Sequence, residues 1–92
     1  MWYLYIVLCK DNSLYTGITT DIKRRISEHN TGKGGACTAA RRPVKLVYHE
    51  QRSSKGEALK REAQIKRWTH AKKIAFIDQN KTKLRQLSIS RD

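Results

Sequence analysis

The apolar positions change their spacing along the chain, and each change marks an element. Residues 2–9 (Trp2-Tyr3-Leu4-Tyr5-Ile6-Val7-Leu8-Cys9) are apolar or aromatic without interruption. A short continuous run of this kind predicts a strand covered on both faces, and hence a central one. Lys10-Asp11-Asn12-Ser13 is turn chemistry, because Asp and Asn bond their own backbone and tolerate left-handed conformations. Residues 14–19 (Leu14-Tyr15-Thr16-Gly17-Ile18-Thr19) form a return strand, so the chain opens with a β-hairpin. Side chains alternate along a strand, so Tyr3, Tyr5 and Val7 share one face, and Tyr15 and Gly17 share one face of theirs. A loop of odd length puts both sets on the same side of the sheet and one of even length puts them on opposite sides. The sequence leaves both registers open.

The period then lengthens. Thr20-Asp21 caps a helix over residues 21–30, with Ile22 and Ile26 on its buried stripe. Arg25 and His29, four apart, stack on one flank of that stripe, while Lys23, Arg24 and Glu28 are expected to point away. From residue 30 to Arg42 the chain reads as a loop, with Gly32, Gly34 and Gly35 among small and basic residues. The Gly-Lys-Gly-Gly run lacks the spacing of a P-loop and follows a helix instead of a strand. It reads as a basic loop able to drape over a phosphate backbone, with Lys33, Arg41 and Arg42 as contacts. Residues 44–50 form a third strand, with Val44, Leu46 and Tyr48 on one face and Val47 on the other. Ser53-Ser54 precedes a second helix over residues 55–67, whose apolar positions are Ala58, Leu59 and Ile65. At 100° per residue Glu62 falls inside their arc, so its carboxylate should face inward or line a cleft, while Glu57 faces out. Thr69 can cap a third helix to about Asp78, with Ala71, Ile74, Ala75 and Ile77 buried. The order β-β-α-β-α-α predicts an α+β fold, a small three-stranded sheet flanked by helices. Residues 1–80 read as one domain and residues 81–92 as a basic C-terminal tail.

Charge adds a partner to this frame. The 92 residues carry 20 Lys and Arg against 8 Asp and Glu, a net +12. So large an excess on one small domain opposes compaction and points to a polyanion. Nucleic acid fits better than a membrane, which would call for a basic amphipathic helix or a lipid anchor. A charge serving solubility alone, or a ribosome-like role, is the plainer rival. Cys9 and Cys37 form no C-x-x-C pair, so neither a zinc site nor a redox pair is indicated. Free thiols in a small domain suit the cytoplasm. The apolar N-terminal run is too short for a signal peptide or a membrane span. A monomer is assumed.

Taken together, Tyr3-Leu4-Tyr5, Tyr15-Thr16-Gly17, Arg25, His29 and Glu62 resemble the GIY-YIG nuclease superfamily, in particular its small standalone bacterial members. The first tripeptide departs from the family name at Gly and Ile, and the second at its middle residue. The resemblance spans roughly residues 2–78. It implies a three-stranded antiparallel sheet flanked by helices and a metal-dependent nuclease site. Tyr5, Tyr15, Arg25 and His29 would be catalytic, Glu62 would hold one divalent ion (Mg²⁺ or Mn²⁺), and DNA is favoured over RNA. The family's late asparagine is not assigned to Asn80.

These residue types suit phosphodiester hydrolysis. Arg25 is a planar donor to phosphate that stays charged. One carboxylate, phosphate oxygens and several waters make a suitable shell for Mg²⁺. A phenol is a poor base at neutral pH, so Tyr5 or Tyr15 needs a nearby cation to favour the phenolate. His29 titrates near neutrality and is the alternative proton acceptor. Gly17, without a side chain, leaves room for phosphate. Lys66 adds a fourth basic contact, or pairs with Glu62 one turn away. Singly, each residue has a plainer role: half-buried strand tyrosines, a surface arginine, a histidine at a helix end. A non-catalytic nucleic-acid-binding module is the alternative to a nuclease.

Overall fold

The computed structural model describes residues 1–33 and 41–89, with side chains as far as residue 80. Three strands, β1 (Trp2–Leu8), β2 (Leu14–Thr19) and β3 (Lys45–Arg52), form one antiparallel sheet in the order β2-β1-β3. The helices are α1 (Ile22–Asn30), α2 (Lys55–Lys66) and α3 (His70–Ile89). This is the α+β order that the sequence predicts. The uninterrupted apolar run is the central strand. On one face Leu4 and Ile6 of β1 pack with Ile65 of α2 and Ile77 of α3. On the other, Tyr5, Val7 and Cys9 pack with Val44, and Ile26 of α1 joins them. The sheet is thus the middle layer, with α1 on one side and α2 and α3 on the other.

The register that the sequence left open has one answer. Leu8 pairs with Leu14, so residues 9–13 make a loop of odd length. Asn12 takes a positive φ of 67°, and its amide and that of Cys9 close the loop onto Cys9 and Ser13. Tyr5 then lies opposite Gly17 and Val7 opposite Tyr15, which puts Tyr5, Tyr15 and Gly17 on the α1 face and leaves Leu4 on the other.

Each helix starts on the side-chain cap expected of it. Asp21 accepts from the Arg24 amide at 3.1 Å, Ser54 from the Glu57 amide at 3.2 Å and Thr69 from the Lys72 amide at 3.2 Å.

Four expectations need correction. A bulge in β3 shifts the pairing, so that Ile6 faces Tyr48 but Val7 faces Leu46. Val47 is the extra residue, and both Val47 and Tyr48 join the Leu4–Ile6 core while Leu46 joins the other; strict alternation cannot anticipate this. Leu59 is 44% exposed, so Ala58 and Ile65 carry the apolar face of α2. On α3 the aromatic Phe76, which meets Tyr48 and Trp68 edge to face, is packed, and Ala71 and Ala75 are exposed. The helix also runs beyond Asp78 to Ile89.

The pairing of Tyr5 with Gly17 carries a stability prediction. A Cβ on Gly17 would lie 2.6 Å from the Tyr5 hydroxyl oxygen and 2.8 Å from its ring carbon, closer than real contacts allow. Gly17→Ala should lower unfolding stability by about 1–3 kcal/mol, the usual penalty of overpacking. Urea denaturation measures it, and an unchanged midpoint would show that the phenol moves aside freely.

Candidate active site

Tyr5 sits at the centre of the α1 face, and its phenol lies across Gly17, filling the space where that residue has no side chain. There the hydroxyl meets two groups from α1. His29 Nε2 is 2.9 Å away and Arg25 Nε donates to the same oxygen at 3.4 Å. Arg25 and His29 are one helical turn apart, so one rotation of α1 delivers both. Asn30 fixes the end of that helix through a two-way bond to the Val44 backbone, 2.7 Å from the amide to Oδ1 and 3.2 Å from Nδ2 to the carbonyl. Tyr15 completes the cluster, its ring centroid 5.4 Å from that of His29 edge to face and 6.4 Å from that of Tyr5. Tyr5 is 1% exposed and His29 is fully buried, whereas the Arg25 side chain is 28% exposed.

Burial sets the protonation states. It pushes the Tyr5 phenol above its ordinary value, against the opposing hydrogen bond and charge of Arg25. It pulls the His29 imidazole below its ordinary value, and the Arg25 cation adds to this while Glu28 opposes it. Both residues are therefore neutral near pH 7. The Tyr5 bond, then that to Glu28, holds Arg25 charged against its own burial. Arg25 can only donate, so the phenol's own hydrogen is available to His29 Nε2, which accepts it in the Nδ1-protonated tautomer. The arrangement is an acid bonded to a base with a fixed cation beside them.

Glu28 was expected to point away. It is half-buried instead, and its carboxylate pairs with Arg25 Nη1 at 3.2 Å. The i,i+3 spacing of the two was the available signal.

Glu62 comes from the other side of the sheet, on α2. Its side chain is only 19% exposed, as its place in the apolar arc required, and it pairs with Lys66 at 3.4 Å. Its charge is felt at Tyr5, where it is the weakest of the influences raising the phenol. Among the described residues no three His, Cys, Asp or Glu side chains gather as a ready-made metal cage. A single partly buried carboxylate fits an ion that keeps most of its water and takes further oxygens from phosphate.

The four basic contacts named from the sequence are dispersed. Lys66 is engaged with Glu62, and Arg41 pairs with Asp11 at 3.2 Å on an exposed loop. Arg42 lies over Gly32, whose φ is 84°. Lys33 bonds through its amide to the Glu28 carbonyl. The rest of that loop, residues 34–40 with Gly34, Gly35 and Cys37, lies outside the described residues. The sequence reading missed Arg61 and Glu50, bonded at 2.8 Å from α2 to β3, because no periodicity marks a pair so far apart in the chain.

A family model described as the GIY-YIG catalytic domain matches residues 1–75. A UPF0213 protein of Staphylococcus haemolyticus is 54% identical over 77 residues, covering 84% of this chain and 94% of its own. One of Streptococcus agalactiae serotype V is 52% identical over 79 residues, covering 86% and 90%. Two solution NMR structures share the fold. The UPF0213 protein of Bacillus halodurans has a TM-score of 0.55 at 43% identity, covering 85% of this chain and 84% of its own. A protein of E. faecalis has 0.59 at 39% identity, covering 87% and 85%.

The neutral pair makes stability depend on pH at both ends. The lowered His29 value means that the unfolded chain binds the proton more readily, so stability is present above the ordinary histidine value near 6.5 and is lost as pH falls below it. The raised Tyr5 value means the reverse: its contribution is present below the ordinary phenol value near 10 and is lost above it. Urea midpoints measured from pH 5 to pH 8 should fall on the acid side, and His29→Gln should flatten that limb. An unchanged acid limb in His29→Gln would mean that His29 is not held neutral.

Proposed function

The chain belongs to the GIY-YIG family, and from that premise we propose that it is a divalent-metal-dependent endonuclease that hydrolyses DNA phosphodiester bonds, with a role in DNA repair or recombination. The observation that carries this reading is the Tyr5 hydroxyl held between His29 Nε2 and Arg25 Nε. Nucleases of the family generally depend on a divalent metal. Glu62, whose charge reaches Tyr5 from α2, would hold the ion, which would supply Lewis-acid charge stabilisation to the phosphate.

The chain's own groups do the rest. Tyr5 passes its proton to His29 Nε2, and the resulting phenolate takes a proton from the attacking water as the water oxygen bonds to phosphorus. The bond from phosphorus to the leaving oxygen breaks, and that oxygen is protonated from solvent. Arg25 neutralises first the phenolate and then the phosphate charge, which a planar donor that never deprotonates is suited to do. Tyr15 braces the imidazole by its edge-to-face contact. Gly17 leaves room on β2 for the Tyr5 phenol, which fills that space in place of the expected phosphate and so reaches His29 and Arg25. Lys33, Arg41, Arg42 and Lys66 contribute to holding the backbone. The protein works as a monomer in the cytoplasm, where the buried Cys9 keeps its thiol. No helix among the described residues is long and apolar enough to cross a membrane.

One observation favours a second reading, a nucleic-acid-binding module without catalysis: Tyr5 and His29 are shielded from solvent. The two readings separate on Glu62. A nuclease loses cleavage in Glu62→Ala, whereas a binding module keeps or gains affinity by losing one repulsive charge.

The test is cleavage by pure protein of duplex, nicked, flapped and branched DNA, and of RNA, with Mg²⁺ or Mn²⁺. Tyr5→Phe, Arg25→Ala and Glu62→Ala should each slow cleavage by about 100-fold or more with the circular dichroism unchanged. Full activity in both Arg25→Ala and Glu62→Ala would end the site assignment.

A further inference from the structure

A second basic site lies on the opposite face of the sheet, against α2 and the end of β3. Arg52, Lys60, Arg61 and Gln64 line a cavity of about 200 Å³, together with Glu57. Its centre is Arg61, which is unusually well held for a surface arginine. Its Nε donates to Glu50 at 2.8 Å and its Nη1 to Gln64 at 2.7 Å. Its guanidinium also lies 5.5 Å from the Trp68 ring centroid and 5.6 Å from that of Phe76. Such a guanidinium has little freedom left to lose on binding an anion.

The neighbouring charges lean the same way. Arg52 also bonds Glu50, yet its Nε–H is buried and meets no acceptor among the described residues. A buried donor without an acceptor is an unmet demand worth about 1–3 kcal/mol. Lys60 is exposed and has no ion-pair partner among the described residues. Three cations line the site, against the carboxylates of Glu50 and Glu57. Lys72 of α3, 4.8 Å from the Trp68 ring, extends the positive surface beyond the cavity.

We propose that this cavity is a phosphate subsite for the backbone of a nucleic-acid strand, separate from the Tyr5–His29 centre. Lys60, Arg52 and Lys72 are its contact groups and Arg61 is its anchor. The proposal rests on the nucleic-acid reading given above. It makes the protein a two-point holder, with the Tyr5–His29 pair on the α1 face of the sheet and a grip on α2 and the end of β3.

The test compares Lys60→Gln/Lys72→Gln with Lys10→Gln/Lys45→Gln, which removes the same charge at the far end of the sheet. The probe is fluorescent single-stranded DNA of 20 nucleotides, a 20-mer, titrated at several salt concentrations. The first pair should weaken the 20-mer about 10-fold and reduce the slope of log affinity against log salt by about one to two, the loss of one or two phosphate contacts. It should leave cleavage at saturating DNA unchanged, and the control pair should do much less. If the wild type binds the 20-mer and the first pair binds it equally well, or if both pairs weaken it alike, the subsite is refuted while the nuclease reading stands. If the wild type binds no nucleic acid, both fall together.

Discussion

The bond from the Tyr5 hydroxyl to His29 is the constraint on which the rest of the site depends. A phenol so deeply buried needs partners, since a lost hydrogen bond there would cost about 1–3 kcal/mol. His29 and Arg25 supply them from one flank of α1, which fixes the rotation of that helix against the sheet. The phenol can reach them only because Gly17 lies opposite Tyr5 and contributes no side chain. A glycine on β2, a tyrosine on β1 and two residues of α1 are thus one packing solution. The same residues carry the candidate chemistry, so a substitution among them bears on stability as well as on the proposed activity.

The central strand lets one small domain keep two environments apart. Odd positions of β1 face α1 and the acid–base pair, and even positions face α2 and α3. Glu62 belongs to the second layer and yet its charge reaches Tyr5. A carboxylate placed beside His29 itself would favour the imidazolium and spoil the neutral pair. Holding it on the far helix keeps the Glu62 carboxylate within electrostatic range of Tyr5 without that effect.

Much of this was legible in the sequence, for identifiable reasons. The unbroken run from Trp2 to Cys9 could only be a central strand, and the caps at Asp21, Ser54 and Thr69 are local signals that tertiary packing did not override. Glu62 stood out because a carboxylate interrupted an apolar arc. Tyr5, Tyr15, Arg25 and His29 were different: each alone looked ordinary, and only the family resemblance grouped them. The hairpin register was hidden because it turns on the backbone of Asn12, which tolerates more than one conformation. The β3 bulge was hidden because Val44, Leu46 and Tyr48 alternate as if it were absent. Arg61 was hidden because its partners come from β3 and α3, and such pairings leave no trace in local spacing.

Burial that favours the folded protein opposes the chemistry proposed for it. Moving a proton from Tyr5 to His29 creates a phenolate and an imidazolium, and each is the form its surroundings disfavour. In the resting protein the transfer therefore runs uphill. Arg25 offsets part of this for the phenolate but adds to the difficulty for the imidazolium, because it lies close to both. A bound phosphate acts on that balance in both directions: its negative charge favours the imidazolium but disfavours the phenolate, and it competes for Arg25. On the nuclease reading, then, the substrate eases only the imidazolium half of the transfer, and the phenolate half rests on Arg25.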